Sequence, residues 1–154
     1  MSSPRPAHLG LLGLLALAAC GAHHAAPAPT ADPQPAPNAQ GLRGRVLVLT
    51  GDFMPPGQGV TTPAAGAPVH VFAGPHAVVD QLAAGDPSLV GTYTTGADGS
   101  FAIALPPGIY TVVTEHAGRP YLNCFAGSGG WCTAEVTAGA WTTYDLTDSA
   151  DATF

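Results

Sequence analysis

Few residues of this chain have the types and spacing that nucleophilic or acid–base catalysis requires. Glu115 and His116 are an adjacent acid and imidazole. They fall in a predicted strand, where successive side chains point to opposite faces, so they make a poor catalytic dyad. The chain contains no lysine, which excludes Schiff-base chemistry and a lysine-dependent phosphate loop. We therefore expect no catalytic residue, no bound metal and no cofactor, with an uncatalogued hydrolase or metalloenzyme as the alternative.

Three aspartates near the C-terminus, Asp145, Asp148 and Asp151, recur at every third position. Clustered carboxylates are the ligands that hard cations such as Ca²⁺ prefer. Their spacing matches no calcium loop, and an acidic tail is usually solvated. Calcium ligation is therefore the alternative, and a solvated tail is the expectation.

A glycine-rich stretch from Tyr121 to Cys132 contains several aromatic residues. Tyr121, Asn123, Phe125 and Trp131 supply the aromatic faces and the amide that sites for sugars or peptides often use. The same residues have a second interpretation, in which Phe125 and Trp131 cap one end of the folded unit. The sequence leaves both interpretations open.

The N-terminus combines a weakly basic start with an apolar run from Leu9 to Ala19. At ~1.5 Å per residue this run spans about 16 Å, too short for a hydrocarbon core of about 30 Å. The run ends in Leu17-Ala-Ala-Cys20, which resembles a bacterial lipobox. We predict that residues 1–20 are a lipoprotein signal and that acyl chains, such as palmitate, on Cys20 anchor the protein to membrane lipid. Gly21, in place of the aspartate that marks inner-membrane retention in enteric bacteria, favours the outer membrane.

Residues 21–40 alternate proline and alanine with almost no bulky apolar residue. Such a segment cannot build a core, so we predict a disordered tether that holds the domain away from the membrane. His23 and His24 lie in it, without the further preorganised ligands that a metal site needs.

With Cys20 assigned to lipid, two cysteines remain in a compartment that favours disulfides. Cys124 and Cys132 flank a short glycine-rich loop whose flanking segments can return antiparallel. We predict that they form a disulfide bond.

Acidic residues outnumber basic ones ten to four, and the formal net charge is −6. A surface of this sign repels phosphate backbones, so we expect no nucleic-acid partner.

Residues 41–154 carry the signals of short strands and turns. Leu42, Gly44, Val46 and Val48 share one face of a first extended segment, and Val69 and Val71 alternate around His70 in the same way. Asp98-Gly99 between two alternating segments predicts a β-hairpin. Pro106-Pro107-Gly108 predicts a second tight turn with Gly108 in the left-handed region. About seven such strands predict an all-β fold, a single antiparallel Greek-key β-sandwich of the prealbumin-like or Ig-like kind.

Four motifs in this order resemble those of carboxypeptidase regulatory-like domains, which are transthyretin-like (prealbumin-like) β-sandwiches. They are Gly44-Arg-Val46, the segment Gly66 to Phe72, the segment Thr94 to Phe101, and Leu105-Pro-Pro-Gly-Ile-Tyr110. The resemblance covers nearly all of residues 41–154 and implies the fold, but it carries little information on function. Hydroxyisourate hydrolases share this sandwich but end in Tyr-Arg-Gly-Ser, whereas this chain ends in Asp-Ala-Thr-Phe.

These observations favour a non-catalytic lipoprotein of the bacterial cell envelope. We expect its β-sandwich to serve adhesion, scaffolding or weak recognition of an envelope protein or a glycan.

Overall fold

The computed structural model describes residues 40–79, 81–126 and 130–154, and in these residues every regular element is a β-strand. Cys20, the predicted signal and residues 21–39 of the predicted tether lie outside the described residues. The strands are β1 (Gly41–Asp52), β2 (Val60–Pro63), β3 (Pro68–Ala73), β4 (Leu89–Thr94), β5 (Ser100–Ala104), β6 (Gly108–His116), β7 (Arg119–Tyr121), β8 (Phe125–Ala126), β9 (Gly130–Trp131), β10 (Ala134–Val136), β11 (Trp141–Thr143) and β12 (Leu146–Thr153).

The first sheet is organised around the long strand β1. The first half of β1 lies between β5, which is antiparallel to it, and β11, which is parallel. Its second half lies between antiparallel β2 and parallel β12. Leu42 and Val46 of β1 are buried, as their alternation with Arg43 and Arg45 predicted.

The second sheet has the order β10-β6-β3-β4, and β7 extends it beside the end of β6. All of its pairings are antiparallel. Strand β6 is its centre, because β3 and β10 pair with its two sides and β7 pairs with its C-terminal end. A separate two-stranded hairpin is formed by β8 and β9.

The two sheets share one apolar core. The first sheet contributes Leu42, Val46, Phe101, Ile103 and Leu146, and the second contributes mainly valines and Tyr110, all buried. Burial of each such side chain stabilises the fold by roughly 1.5–3 kcal/mol. The core therefore lies between the sheets, as a β-sandwich requires.

The segment 74–88 adds a further layer on the outer face of the second sheet. Its described residues, 74–79 and 81–88, form turns and bends, and Val79 and Leu82 are buried in the main core cluster. The Thr111 hydroxyl donates to the Gly74 carbonyl at 2.8 Å and holds the start of the segment. Both faces of this sheet are consequently covered over part of their area.

The predicted all-β sandwich is confirmed, but two local predictions were wrong. Asp98-Gly99 does make a turn, with Gly99 at φ 75°. The flanking strands do not pair with each other, because β4 pairs with β3 and β5 pairs with β1. The turn therefore carries the chain from one sheet to the other. Gly108 begins β6 and is absent from the residues with positive φ.

The first sheet is also mixed rather than wholly antiparallel. Parallel neighbours need a long crossover between them, and here almost the whole domain separates β1 from β11 and β12. Hairpin signals describe only pairings between strands that are neighbours in sequence, so they could not predict the parallel pairing of β1 with β11 and β12.

Candidate functional site

A polar pair lies on the outer face of the second sheet. His70 in β3 faces outward between two buried valines, and its Nε2 lies 2.8 Å from Oε1 of Glu115 in β6. Its Nδ1 lies 2.9 Å from the Thr92 hydroxyl in β4. The register explains the contact, because His70 is opposite Val113, and Glu115 is the next residue along β6 on the same face.

A pocket of about 260 Å³ opens beside this pair. Its wall is largely apolar and comes from β3, from the covering segment and from the β6–β7 turn. The lining residues are His70, Phe72, Leu82, Ala83, Ala84, Glu115, Gly118 and Pro120. The pocket thus combines one carboxylate–imidazole pair with aliphatic and aromatic surface.

A second polar pair joins the two sheets. His116 Nδ1 lies 2.9 Å from Oδ2 of Asp148 in β12, and its Nε2 lies 3.9 Å from Oδ1 of Asp151. The hydrogen bond to Asp148 raises the pKa of His116 above its ordinary value, against the opposing effect of desolvation, and the negative charges of Asp148 and Asp151 add to the rise. Protonated His116 is therefore an inter-sheet ion-pair partner.

Ser149 follows Asp148 in the chain. Two of the residues that the sequence suggested for ligand binding are hydrogen-bonded to its side chain. The Tyr121 hydroxyl is 3.2 Å from Ser149 Oγ, and the Asn123 side-chain amide donates to the same oxygen. A serine triad would need the second ring nitrogen of a histidine facing the nucleophile, but that nitrogen of His116 faces Asp151. The arrangement is a hydrogen-bonded anchor for the chain after β7.

The other two suggested ligand-binding residues form a separate group, which we call the aromatic pair: Phe125 in β8 and Trp131 in β9. Their ring centroids are 5.6 Å apart in an edge-to-face arrangement. Trp131 packs against the core and donates its indole N–H to the Ala77 carbonyl at 3.0 Å. Phe125, by contrast, is 64% exposed.

The predicted disulfide closes the hairpin that carries the aromatic pair. Cys124 and Cys132 are bonded, with Cα atoms 5.3 Å apart. The Cys132 amide also donates to the Cys124 carbonyl at 3.0 Å. The bridge joins the two strands at the base of the hairpin, next to Phe125 and Trp131.

The structure separates several residues that are close in sequence. Glu115 and His116 bind different partners on opposite faces of β6, as strand geometry predicted. Asp145 accepts from the Arg45 amide at 2.8 Å, whereas Asp148 binds His116. The three C-terminal aspartates therefore do not converge, and the described residues contain no group of three side chains able to hold a metal.

Sequence reasoning missed the pair of His70 and Glu115 together with its pocket. The two residues are 45 positions apart, and only the register of β3 against β6 brings them together. One signal was present, because Val79 and Leu82 are apolar residues inside an otherwise turn-rich segment. Apolar residues in such a segment usually pack against an apolar surface, and here they pack against the sheet that carries the pocket.

No protein-family model matches the chain, and no curated protein is significantly similar to it. Within the described ranges, no helix has the length and apolar character needed to cross a membrane.

Proposed function

We propose that the protein is a non-catalytic lipoprotein of the bacterial cell envelope that uses its β-sandwich to recognise an envelope protein or a glycan through the aromatic pair. The observation that carries this proposal is the exposure of Phe125, 64% of whose surface meets solvent on a hairpin closed by a disulfide. Aromatic side chains, phenylalanine included, are enriched at protein interfaces relative to the rest of the surface.

The placement of the ionisable groups favours binding over catalysis. His70 is hydrogen-bonded at both ring nitrogens, to Glu115 and to Thr92. His116 is held between two aspartates that belong to the opposite sheet. An acid or base that works on a substrate needs a free position aimed at the reacting atom, and these imidazoles are used to join strands. The alternative, a hydrolase or metalloenzyme, has as its candidate contact His76 Nε2 at 3.2 Å from the Ser88 hydroxyl, but that hydroxyl donates to the Asp86 carboxylate and not to the imidazole.

The membrane anchor in this proposal rests on the sequence. The run Leu9–Ala19 followed by Cys20 has the length and the small residues of a lipoprotein signal. Two or more acyl chains on Cys20 give stable attachment, whereas one gives marginal attachment. The likeness to carboxypeptidase regulatory-like domains agrees with a binding module but names no partner.

Photo-crosslinking in intact envelopes tests the recognition surface. A crosslinker near the aromatic pair should capture a partner from wild-type cells, and Phe125→Ser should lose that partner. Val60→Ser is the matched control, because Val60 is 53% exposed in β2 of the first sheet, away from the hairpin of the aromatic pair. Protease or glycosidase treatment of the product distinguishes a protein from a glycan. Recovery of the same product from Phe125→Ser at wild-type yield would contradict the proposed surface.

The anchor is tested separately with Cys20→Ala. This variant should appear in the soluble fraction or accumulate unprocessed, because no thiol remains to receive lipid. The double variant Cys124→Ser/Cys132→Ser is the control and should stay with the membranes. Normal processing and membrane fractionation of Cys20→Ala would refute the lipobox interpretation.

A further inference from the structure

The pocket beside His70 contains a carboxyl group, that of Glu115, whereas the aromatic pair contains no ionisable group. Oε1 of Glu115 is hydrogen-bonded to His70, while no described residue hydrogen-bonds its Oε2. Glu115 lines the pocket, and its side chain is 33% exposed. A ligand that enters the pocket therefore meets a carboxylate oxygen with acceptor capacity to spare.

Apart from His70, which contacts Oε1, no described residue that lines the pocket has a basic side chain. Arg119 is nearest in sequence, but Pro120 is the residue of β7 that lies opposite Glu115 and lines the pocket. Neighbours on a strand point to opposite faces, so Arg119 is directed to the face of His116, its register partner. The protein as a whole carries a formal net charge of −6, which attracts cations.

The rest of the pocket is lined mainly by apolar side chains, with Phe72 and Leu82 buried at its base and Ala83 and Ala84 exposed at its rim. Phe72 and Leu82 are 1% and 5% exposed, and Ala83, Ala84 and Pro120 complete the wall. A volume of about 260 Å³ falls below the roughly 300–1,000 Å³ of pockets that take drug-sized ligands. The space therefore suits a ligand of the size of one long side chain, with an apolar stem and a positive end.

We propose that this pocket binds an ammonium group on an aliphatic stem, the chemistry of a lysine side chain or of a small alkylamine. The stem lies against the wall, and the ammonium donates to Oε2 of Glu115. A guanidinium prefers a bidentate contact with both carboxylate oxygens, and His70 already uses one of the two lone pairs of Oε1. An ammonium acts as a compact point charge and needs only one oxygen. Anions are excluded by the sign of the carboxylate.

The test is a titration of the full chain, in detergent micelles at pH 8, with n-butylammonium and with neutral 1-butanol. Methyl NMR signals of Leu82, Ala83 and Ala84 report occupancy. Butylammonium should shift them with a millimolar Kd, as expected for so few atoms, and butanol should bind at least about tenfold more weakly, because hydrogen bonds between charged groups are the stronger ones. Glu115→Gln should remove this preference, whereas Phe125→Ser should keep it, which separates this site from the aromatic pair.

Two further arms identify the source of the amine and guard against a misfolded variant. A lysine blocked at both main-chain ends binds as well as butylammonium if the ligand is a protein side chain, and binds more weakly if it is a free amine. Raising the salt concentration in the wild-type titration should weaken butylammonium but not butanol. Equal affinity for butylammonium and butanol in the wild-type chain, or no shift of these methyl signals with butylammonium, overturns the proposal.

Discussion

Replacing Cys124 and Cys132 together by serine removes a covalent link between residues eight positions apart. In the chain-entropy treatment, closing a loop of this length lowers the entropy of the unfolded chain by about 8 cal/mol/K, which stabilises the fold by about 2.5 kcal/mol at 25 °C. This is a substantial share of a total stability of roughly 5–15 kcal/mol. With an average unfolding entropy of ~2.1 cal/mol/K per residue, the melting temperature should fall by about 10 °C.

Urea unfolding followed by tryptophan fluorescence, with a thermal scan on the same samples, measures both quantities. Reductant should lower the wild-type protein to the stability of the double variant and leave the variant unchanged. Mass spectrometry of the unreduced wild-type protein should find a peptide linked between Cys124 and Cys132. A loss of stability below about 0.5 kcal/mol, in protein whose bridge is shown to be intact, would refute the entropic reasoning, because it would mean that the unfolded chain keeps this loop closed without the bond.

Two further changes probe the packing of the sheets. Since Asp148 raises the pKa of His116 in the folded state, His116 contributes stability that is fully present below the unfolded imidazole pKa of about 6.5 and is lost as the pH rises through its folded pKa. The stability difference between wild type and His116→Gln should therefore be larger at pH 6 than at pH 9 in urea titrations, and most of this pH dependence should be lost in an Asp148→Asn background, where Asp151 alone remains beside the imidazole; a difference that does not change with pH would contradict the ion pair. Gly44→Ala should destabilise by about 1–3 kcal/mol, because a Cβ at Gly44 would collide with the Tyr144 carbonyl. Gly85→Ala, which meets nothing within 4 Å, should change the unfolding midpoint little, and equal effects of the two substitutions would rule out the steric explanation.

Alternation of apolar and polar residues was sufficient to predict most strands and their buried faces. Val69 and Val71 are fully buried on either side of His70, as a two-residue period requires. The pairing of strands was less predictable, because turn residues indicate where the chain reverses and not which strand it then meets. The Asp98-Gly99 turn illustrates this, since the strands on its two sides belong to different sheets.

The candidate sites also divide into those that local sequence patterns could predict and those that they could not. The disulfide was predictable because counting cysteines left two partners for each other. The sequence places Tyr121, Asn123, Phe125 and Trp131 in one stretch and allows either a binding surface or a cap. The fold divides them, with Tyr121 and Asn123 bound to Ser149, Trp131 packed against the core and Phe125 exposed. Local sequence patterns could not predict the pocket. Its walls come from strands and turns far apart in the chain, which are brought together only by the register of the sheet.

The position of β1 has a consequence for the order in which the protein becomes structured. This first strand of the domain is completed on one side by β11 and β12, the last two strands of the chain. The second sheet draws its strands from residues 68–136 and can form its ladders earlier. During synthesis, the first sheet therefore lacks β11 and β12 until residues 141–153 have been made. Because β1 must pair with strands from the other end of the domain, this pairing is expected late in folding, and it completes the sheet that covers one side of the core.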